Sequence, residues 1–92
     1  MSAKIVIIDA REPFEYQQSH VKGAVNITPA DFVSGQFKSK LKDVNKETPI
    51  IIYCVSGSRS NTSSMFLKDE GFVNVTNGIN QNHVDKLISK AD

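Results

Sequence analysis

Cys54 is the only cysteine in this 92-residue chain, and it ends the run Ile50-Ile51-Ile52-Tyr53 immediately before Val55-Ser56-Gly57-Ser58-Arg59-Ser60. A short, continuous apolar run followed by small residues and glycine reads as a buried strand ending in a tight loop. A helix is predicted from Asn61 to Glu70, stopped by Gly71 just past its end. A thiol between a strand end and a helix start sits in a field that favours its anion. The free N–H groups of the first helical turn and the positive end of the macrodipole both stabilise negative charge. Loop N–H groups turned inward form a nest around the sulfur, and Gly57 supplies the positive φ such a loop commonly needs. Arg59 adds a fixed positive charge. Together they depress the thiol pKa below its free value of about 8.5, which gives thiolate at neutral pH and a sulfur nucleophile. The same pattern is compatible with an inert strand-end cysteine, because free cysteine is among the most buried residue types. Spacing alone leaves both readings open.

The elements that must position this thiol alternate between strand and helix. Lys4 to Ile8 forms the first strand, ending at Asp9, and Pro13 opens a short helix through Phe14 and Tyr16. Ala24 to Ile27 is a brief second strand. Thr28-Pro29-Ala30-Asp31 then starts a helix with a capping threonine, proline at its first position and an acid at its third. Phe37 and Leu41, one helical turn apart, mark another apolar face. The third strand runs from Pro49 to Tyr53 and the fourth is Val73-Asn74-Val75, while Val84, Leu87 and Ile88 form the buried stripe of a closing helix. This order predicts an α/β fold with a parallel sheet covered by helices on both faces. Sites in such sheets form outside the carboxyl ends of the strands. Asp9 and Arg11 follow one strand end and Cys54 another, so all three belong on one rim. Arg11 could hold an anionic donor and Asp9 could orient the loop, but the preferred reading is an ion pair that braces the scaffold.

Ninety-two residues suit a single domain, which by surface scaling buries roughly 60–70% of what its unfolded chain exposes. The net charge is +1 with no block of like charge, so neither a nucleic-acid footprint nor a basic membrane patch is visible. The apolar runs are far too short for a signal segment or a membrane span. A lone cysteine makes no intrachain disulfide and is compatible with the reducing cytoplasm, the expected location. Sequons at Asn26, Asn61 and Asn74 then carry no meaning. Two distant histidines, His20 and His83, and one cysteine do not have metal-ligand spacing.

The stretch from Tyr53 to Ser60 resembles the active-site loop of rhodanese-like sulfurtransferases, in which a cysteine, a glycine three positions on and an arginine two beyond that form a cradle. Ile8-Asp9-Ala10-Arg11-Glu12-Pro13-Phe14-Glu15-Tyr16, followed by His20-Val21-Lys22-Gly23-Ala24-Val25-Asn26-Ile27, resembles the family's N-terminal signature. Gly71-Phe72 and Asn77-Gly78-Ile79 extend the likeness over almost the whole chain. The resemblance implies a rhodanese-like fold of four or five parallel strands, with the Cys54 strand beside the first. It implies no cofactor. It also implies a double displacement, in which Cys54 takes the outer sulfur of a sulfane donor as a persulfide and a thiophilic acceptor (cyanide, a thiol or a protein sulfur-relay partner) removes it. Val55, Ser56, Gly57, Ser58 and Arg59 would form the substrate and persulfide loop, with Asp9 and Arg11 in support. Arg59 would act electrostatically, the other reading being that it ties the loop to a carboxylate. His20 would be a structural residue of the turn before the second strand, and His83 a solvated one.

Loop length separates this chain from the phosphatases and arsenate reductases of the same fold, whose loop has seven residues. Cys54 to Arg59 is six. Three departures from the family pattern bear on expectations. Val55, Ser56 and Glu15 stand where thiosulfate-using two-domain enzymes carry basic residues, so thiosulfate is expected to be a poor donor. Asn77-Gly78 replaces a Gly-Gly pair and a downstream tryptophan is absent, which bears on how the last helix packs. The sequence begins almost at the first core strand, so the family's N-terminal helix and edge strand are expected to be absent, with four strands and an exposed edge. A non-enzymatic binding module and a relay dedicated to one partner remain as alternatives.

Overall fold

Period-two alternation in the two central strands divides the core in half. In the computed structural model, which describes residues 5–90, β1 spans Val6–Asp9 and β3 spans Ile50–Cys54, paired in parallel with Val6 opposite Ile50 and Asp9 opposite Tyr53. Ile8, Ile50 and Ile52 face one side, and Ile7, Ile51 and Tyr53 face the other. The first side is covered by α2 (Pro29–Ser34), α3 (Phe37–Lys40) and α4 (Ser58–Asp69), which contribute Phe32, Phe37 and Leu67 to a cluster shared with Ile27, Leu41 and Phe72. Against the second side lie α1 (Pro13–Gln18) and α5 (Gln81–Lys90), through Tyr16, Val84 and Ile88. With β2 (Val25–Asn26) and β4 (Val75–Asn80) outside, the described residues form a four-stranded parallel sheet of order β2-β1-β3-β4. This is the α/β architecture expected of the sequence. Among the described residues no helix is long and apolar enough to cross a membrane.

Helix starts follow the capping chemistry. Thr28 Oγ1 accepts the Asp31 N–H at 3.2 Å while Asp31 Oδ2 accepts the Thr28 N–H at 3.0 Å, a reciprocal box. Two boundaries differ from those predicted. Helix α4 begins at Ser58, three residues before Asn61, because Gly57 (φ 94°) turns the chain directly into it and the serine-rich segment is helical from its first residue. Ser60, Ser63 and Ser64 are buried there, small enough for α4 to lie close to the sheet. The fourth strand is Val75–Asn80 rather than Val73-Asn74-Val75. Val73 is 75% exposed and precedes the pairing, whereas Thr76, Asn77, Gly78 and Asn80 are polar or small, so apolar patterning does not reveal the strand they form. Lys4, assigned to the first strand from the sequence, lies outside the described residues.

The strand register slips once. Ile52 pairs with Asn77 and Tyr53 with Ile79, so Gly78 is skipped as a bulge. Glycine is required there, since a Cβ would lie 2.4 Å from Val84 Cγ2 and 2.8 Å from Ile51 Cγ2. The residue after it, Ile79, has φ 71°, and no other described non-glycine residue has a positive φ.

Candidate active site

Parallel pairing of β1 with β3 brings Asp9 and Cys54 to the same rim. Cys54, only 2% exposed, is gripped by the loop that follows it. Its Sγ accepts the Gly57 N–H at 3.1 Å and the Ser60 N–H at 3.3 Å, with Ser60 Oγ at 3.4 Å. Gly57, in the left-handed region, folds the loop back so that these N–H groups converge. Burial pushes the thiol pKa up, but the N–H groups of Ser60, Gly57 and Ser56, together with the Ser60 hydroxyl whenever its proton turns to the sulfur, outweigh it, and the net shift is downward. The sulfur opens onto a cavity of about 330 Å³ lined by Arg11, Cys54, Val55, Asn80, Gln81 and Asn82.

Both arginines are paired, Arg11 on the lining of this cavity and Arg59 on a separate pocket beside Pro29, Val33 and Thr62. Arg59 Nη1 lies 3.1 Å from Glu15 Oε1, an ion pair between α4 and α1 that raises the guanidinium pKa and lowers that of the carboxyl. Glu15 also accepts the Glu12 N–H at 2.9 Å, which fixes its position as part of the α1 cap. Arg11 grips Asp9 in a fork, Nε to Oδ1 at 2.9 Å and Nη2 to Oδ2 at 2.7 Å, and its Nη2 also reaches the Ser19 carbonyl. Asp9, fully buried, further accepts the Tyr53 hydroxyl at 2.8 Å and the Arg11 backbone N–H at 3.0 Å. Tyr53 Oη in turn accepts the Val21 N–H at 3.0 Å, and burial pushes the phenol pKa up. Asp9 thus joins β1, β3 and the turn before β2.

The predicted site residues therefore fall into three groups. Cys54 and Gly57 form the sulfur cradle, with the Ser56 N–H contributing, and Val55 is an exposed wall of the cavity. Asp9 and Arg11 brace one another, although Arg11 also lines the cavity. Arg59 is held by Glu15, and Ser58 is exposed as the first residue of α4. His20 stacks on Tyr16 with ring centroids 3.7 Å apart, and exposed His83 lies in the first turn of α5. Neither lines the cavity.

Sequence reasoning missed Ser60 as a partner of the sulfur and Asn77 as a partner of Ser60. Asn77 Oδ1 lies 2.6 Å from Ser60 Oγ, and Asn77 Nδ2 donates to the Gly57 carbonyl at 3.1 Å. The replacement of a Gly-Gly pair by Asn77-Gly78 was the available signal, but it pointed to the last helix and not to the loop.

A cysteine held by converging N–H groups at the start of a helix, on the rim of a parallel α/β sheet, is matched by a family comparison in which residues 1–80 fit the Rhodanese-like domain. The chain belongs to the rhodanese-like family. It is 36% identical over 70 residues to thiosulfate sulfurtransferase PspE of Escherichia coli (strain K12), covering 76% of this chain and 64% of that protein. It is 37% identical over 70 residues to a tRNA uridine(34) hydroxylase of Pelagibacter ubique (strain HTCC1062), covering 76% of this chain and 23% of the relative. Among solved structures, a rhodanese with anions from E. coli superposes with a TM-score of 0.75 at 28% identity, covering 87% of this chain and 91% of that one. This chain thus spans less than two thirds of the length of either curated relative. The rhodanese-like fold accounts for the position of Cys54 beside β1, and the Glu15–Arg59 and Asn77–Ser60 contacts show how this chain supports its loop.

Proposed function

We propose that the protein is a sulfurtransferase that carries sulfane sulfur on Cys54. The observation that supports it most is the cradle itself, in which the N–H groups of Gly57 and Ser60 converge on one buried sulfur beside an open cavity. Such donors stabilise a thiolate and, after transfer, the anionic terminal sulfur of a persulfide. With thiosulfate as donor, the Cys54 thiolate attacks the outer sulfur, a new S–S bond forms as the old one breaks, and sulfite leaves with the electron pair. Attack by cyanide on the terminal sulfur then breaks the Cys54 S–S bond, releases thiocyanate and restores the thiolate. A thiol or a protein partner can take the sulfur by the same displacement, leaving with it as a persulfide. No cofactor enters the balance, and a reducing compartment such as the cytoplasm keeps the thiol available.

Thiosulfate is the donor that the family resemblance suggests, and the thiosulfate sulfurtransferase PspE among the relatives supports it, while the paired arginines argue that a dianion is received weakly here. The test is intact mass after incubation with thiosulfate and then cyanide, for the wild-type protein and Cys54→Ser. A gain of one sulfur atom that requires Cys54 and is removed by cyanide is expected. No adduct with thiosulfate or with polysulfide refutes sulfur transfer and leaves a binding module.

A further inference from the structure

Ser60 is fully buried, and its single hydroxyl proton has several claimants. Asn77 Oδ1 lies 2.6 Å from Ser60 Oγ, the Gly57 carbonyl 3.2 Å and Cys54 Sγ 3.4 Å. A hydroxyl donates one hydrogen bond and accepts others, and 2.6 Å is at the short end of the O–H···O range. The Asn77 amide is itself fixed from both ends. Its Oδ1 also accepts the Ile79 N–H at 2.9 Å, and its Nδ2 donates to the Gly57 carbonyl at 3.1 Å. A flipped amide would set its NH₂ against the Ile79 N–H and its oxygen against the Gly57 carbonyl. Asn77 therefore presents a carbonyl oxygen to Ser60 and also satisfies the competing Gly57 oxygen. The Ser60 proton goes to Asn77, and its lone pairs face Cys54, where they accept the S–H.

That arrangement serves a thiol and opposes a thiolate, which needs the hydroxyl proton for itself. We propose that Asn77 is a positioning residue that holds the Ser60 hydroxyl turned away from Cys54, so that full activation of the sulfur requires Ser60 to exchange Asn77 for Sγ. Ile79 gives independent support. A β-branched residue at φ 71° is held in a strained backbone conformation, and its N–H is spent on Asn77 Oδ1. The bulge that creates this strain is the same one that aims Asn77 at the loop. Charged groups near the sulfur do not account for the effect. Arg11 after β1 is paired with Asp9 and Arg59 on α4 with Glu15, while β4 and the start of α5 give the cavity only the neutral amides Asn80, Gln81 and Asn82.

The proposal rests on Cys54 being a nucleophile, as in the sulfurtransferase reading, but its test does not require sulfur transfer. The rate of Cys54 alkylation by iodoacetamide is measured against pH for wild type, Asn77→Ala, Ser60→Ala and the double variant. Asn77→Ala removes the acceptor at 2.6 Å and leaves only the neutral Gly57 carbonyl, at 3.2 Å, to compete with the charged thiolate for the hydroxyl, so the midpoint falls by about 0.5–1 unit, a three- to tenfold gain in alkylation below the midpoint. In the Ser60→Ala background the same change has no such effect. A rise or no change in Asn77→Ala, or an equal fall without Ser60, overturns the proposal, since a residue that merely braced the loop would loosen the N–H cradle and raise the midpoint. Should Asn77→Ala not fold, Ser60→Ala alone decides. A hydroxyl held by Asn77 leaves the midpoint within about half a unit, whereas a hydroxyl permanently donated to sulfur raises it by about a unit or more. The expected Asn77 effect without a persulfide in the mass measurement would remove the sulfurtransferase reading alone.

Discussion

Replacing Glu15 by glutamine isolates the charge that neutralises Arg59. The Glu15–Arg59 contact is 3.1 Å, with the side chains 22% and 35% exposed, so the pair is partly screened by solvent. Glutamine keeps an oxygen to accept the Glu12 N–H and preserves the α1 cap, but leaves the guanidinium charge uncompensated. Glu15 lies outside the lining of the Cys54 cavity; for a separation of about 8 Å from a thiosulfate dianion and an effective dielectric of about 40, the repulsion removed is about 2 kcal/mol. Discounting for the exposure of the pair and for salt brings this to about 1 kcal/mol, or roughly fivefold in rate. The assay is the second-order rate of Cys54 persulfide formation, followed by mass under single-turnover conditions. Glu15→Gln is expected to load sulfur from thiosulfate about fivefold faster at low ionic strength, with the gain shrinking as salt is added. Cysteine hydropersulfide, which carries less negative charge, should load within about twofold of the wild-type rate, as its weaker Coulomb term requires. An unchanged or slower rate with thiosulfate would refute the argument that Glu15 masks Arg59, and would assign the pair to bracing α1 against α4.

Three further outcomes follow from the geometry. Tyr53→Phe takes a donor from buried Asp9 and leaves the Val21 N–H without its acceptor, so urea unfolding should show a loss of about 1–3 kcal/mol. Gly78→Ala drives a methyl to within 2.4 Å of Val84 and 2.8 Å of Ile51, and a stability loss of about 1–3 kcal/mol is expected in the same assay. Wild-type Cys54 should alkylate with a midpoint below that of an unperturbed cysteine, because the loop's hydrogen bonds outweigh its burial. Because the folded pKa is the lower one, ionisation of Cys54 stabilises the fold at high pH. Any stability advantage of wild type over Cys54→Ser attributable to ionisation should shrink as pH falls through that folded pKa.

The sheet was readable because β1 and β3 are nearly continuous apolar runs, the pattern of strands buried on both faces. Helix starts at Pro13 and Thr28 were equally plain, since proline and capping side chains act within a few residues of their own position. Apolar patterning puts the fourth strand too early because Thr76, Asn77 and Asn80 have no apolar alternation, and their pairing depends on Ile51, Ile52 and Cys54 across the sheet. Cysteine and glycine spacing gave the cradle through local backbone geometry. The partners of Arg59 and Ser60 were hidden because Glu15 lies 44 residues and Asn77 17 residues away in sequence. Such contacts are products of the topology and leave no periodic trace.

The slip at Gly78 also affects how this molecule meets others of its kind. The outer side of β4 is an edge of the sheet among the described residues, and an edge presents backbone groups on which a foreign strand can template itself. Here regular extended geometry runs only from Val75 to Asn77 before Gly78 is skipped and Ile79 turns to positive φ. An incoming strand would find a regular ladder of about three residues, at the short end of ordinary strand lengths. The irregularity that points Asn77 at the loop therefore also shortens the regular ladder that the outer side of β4 offers among the described residues.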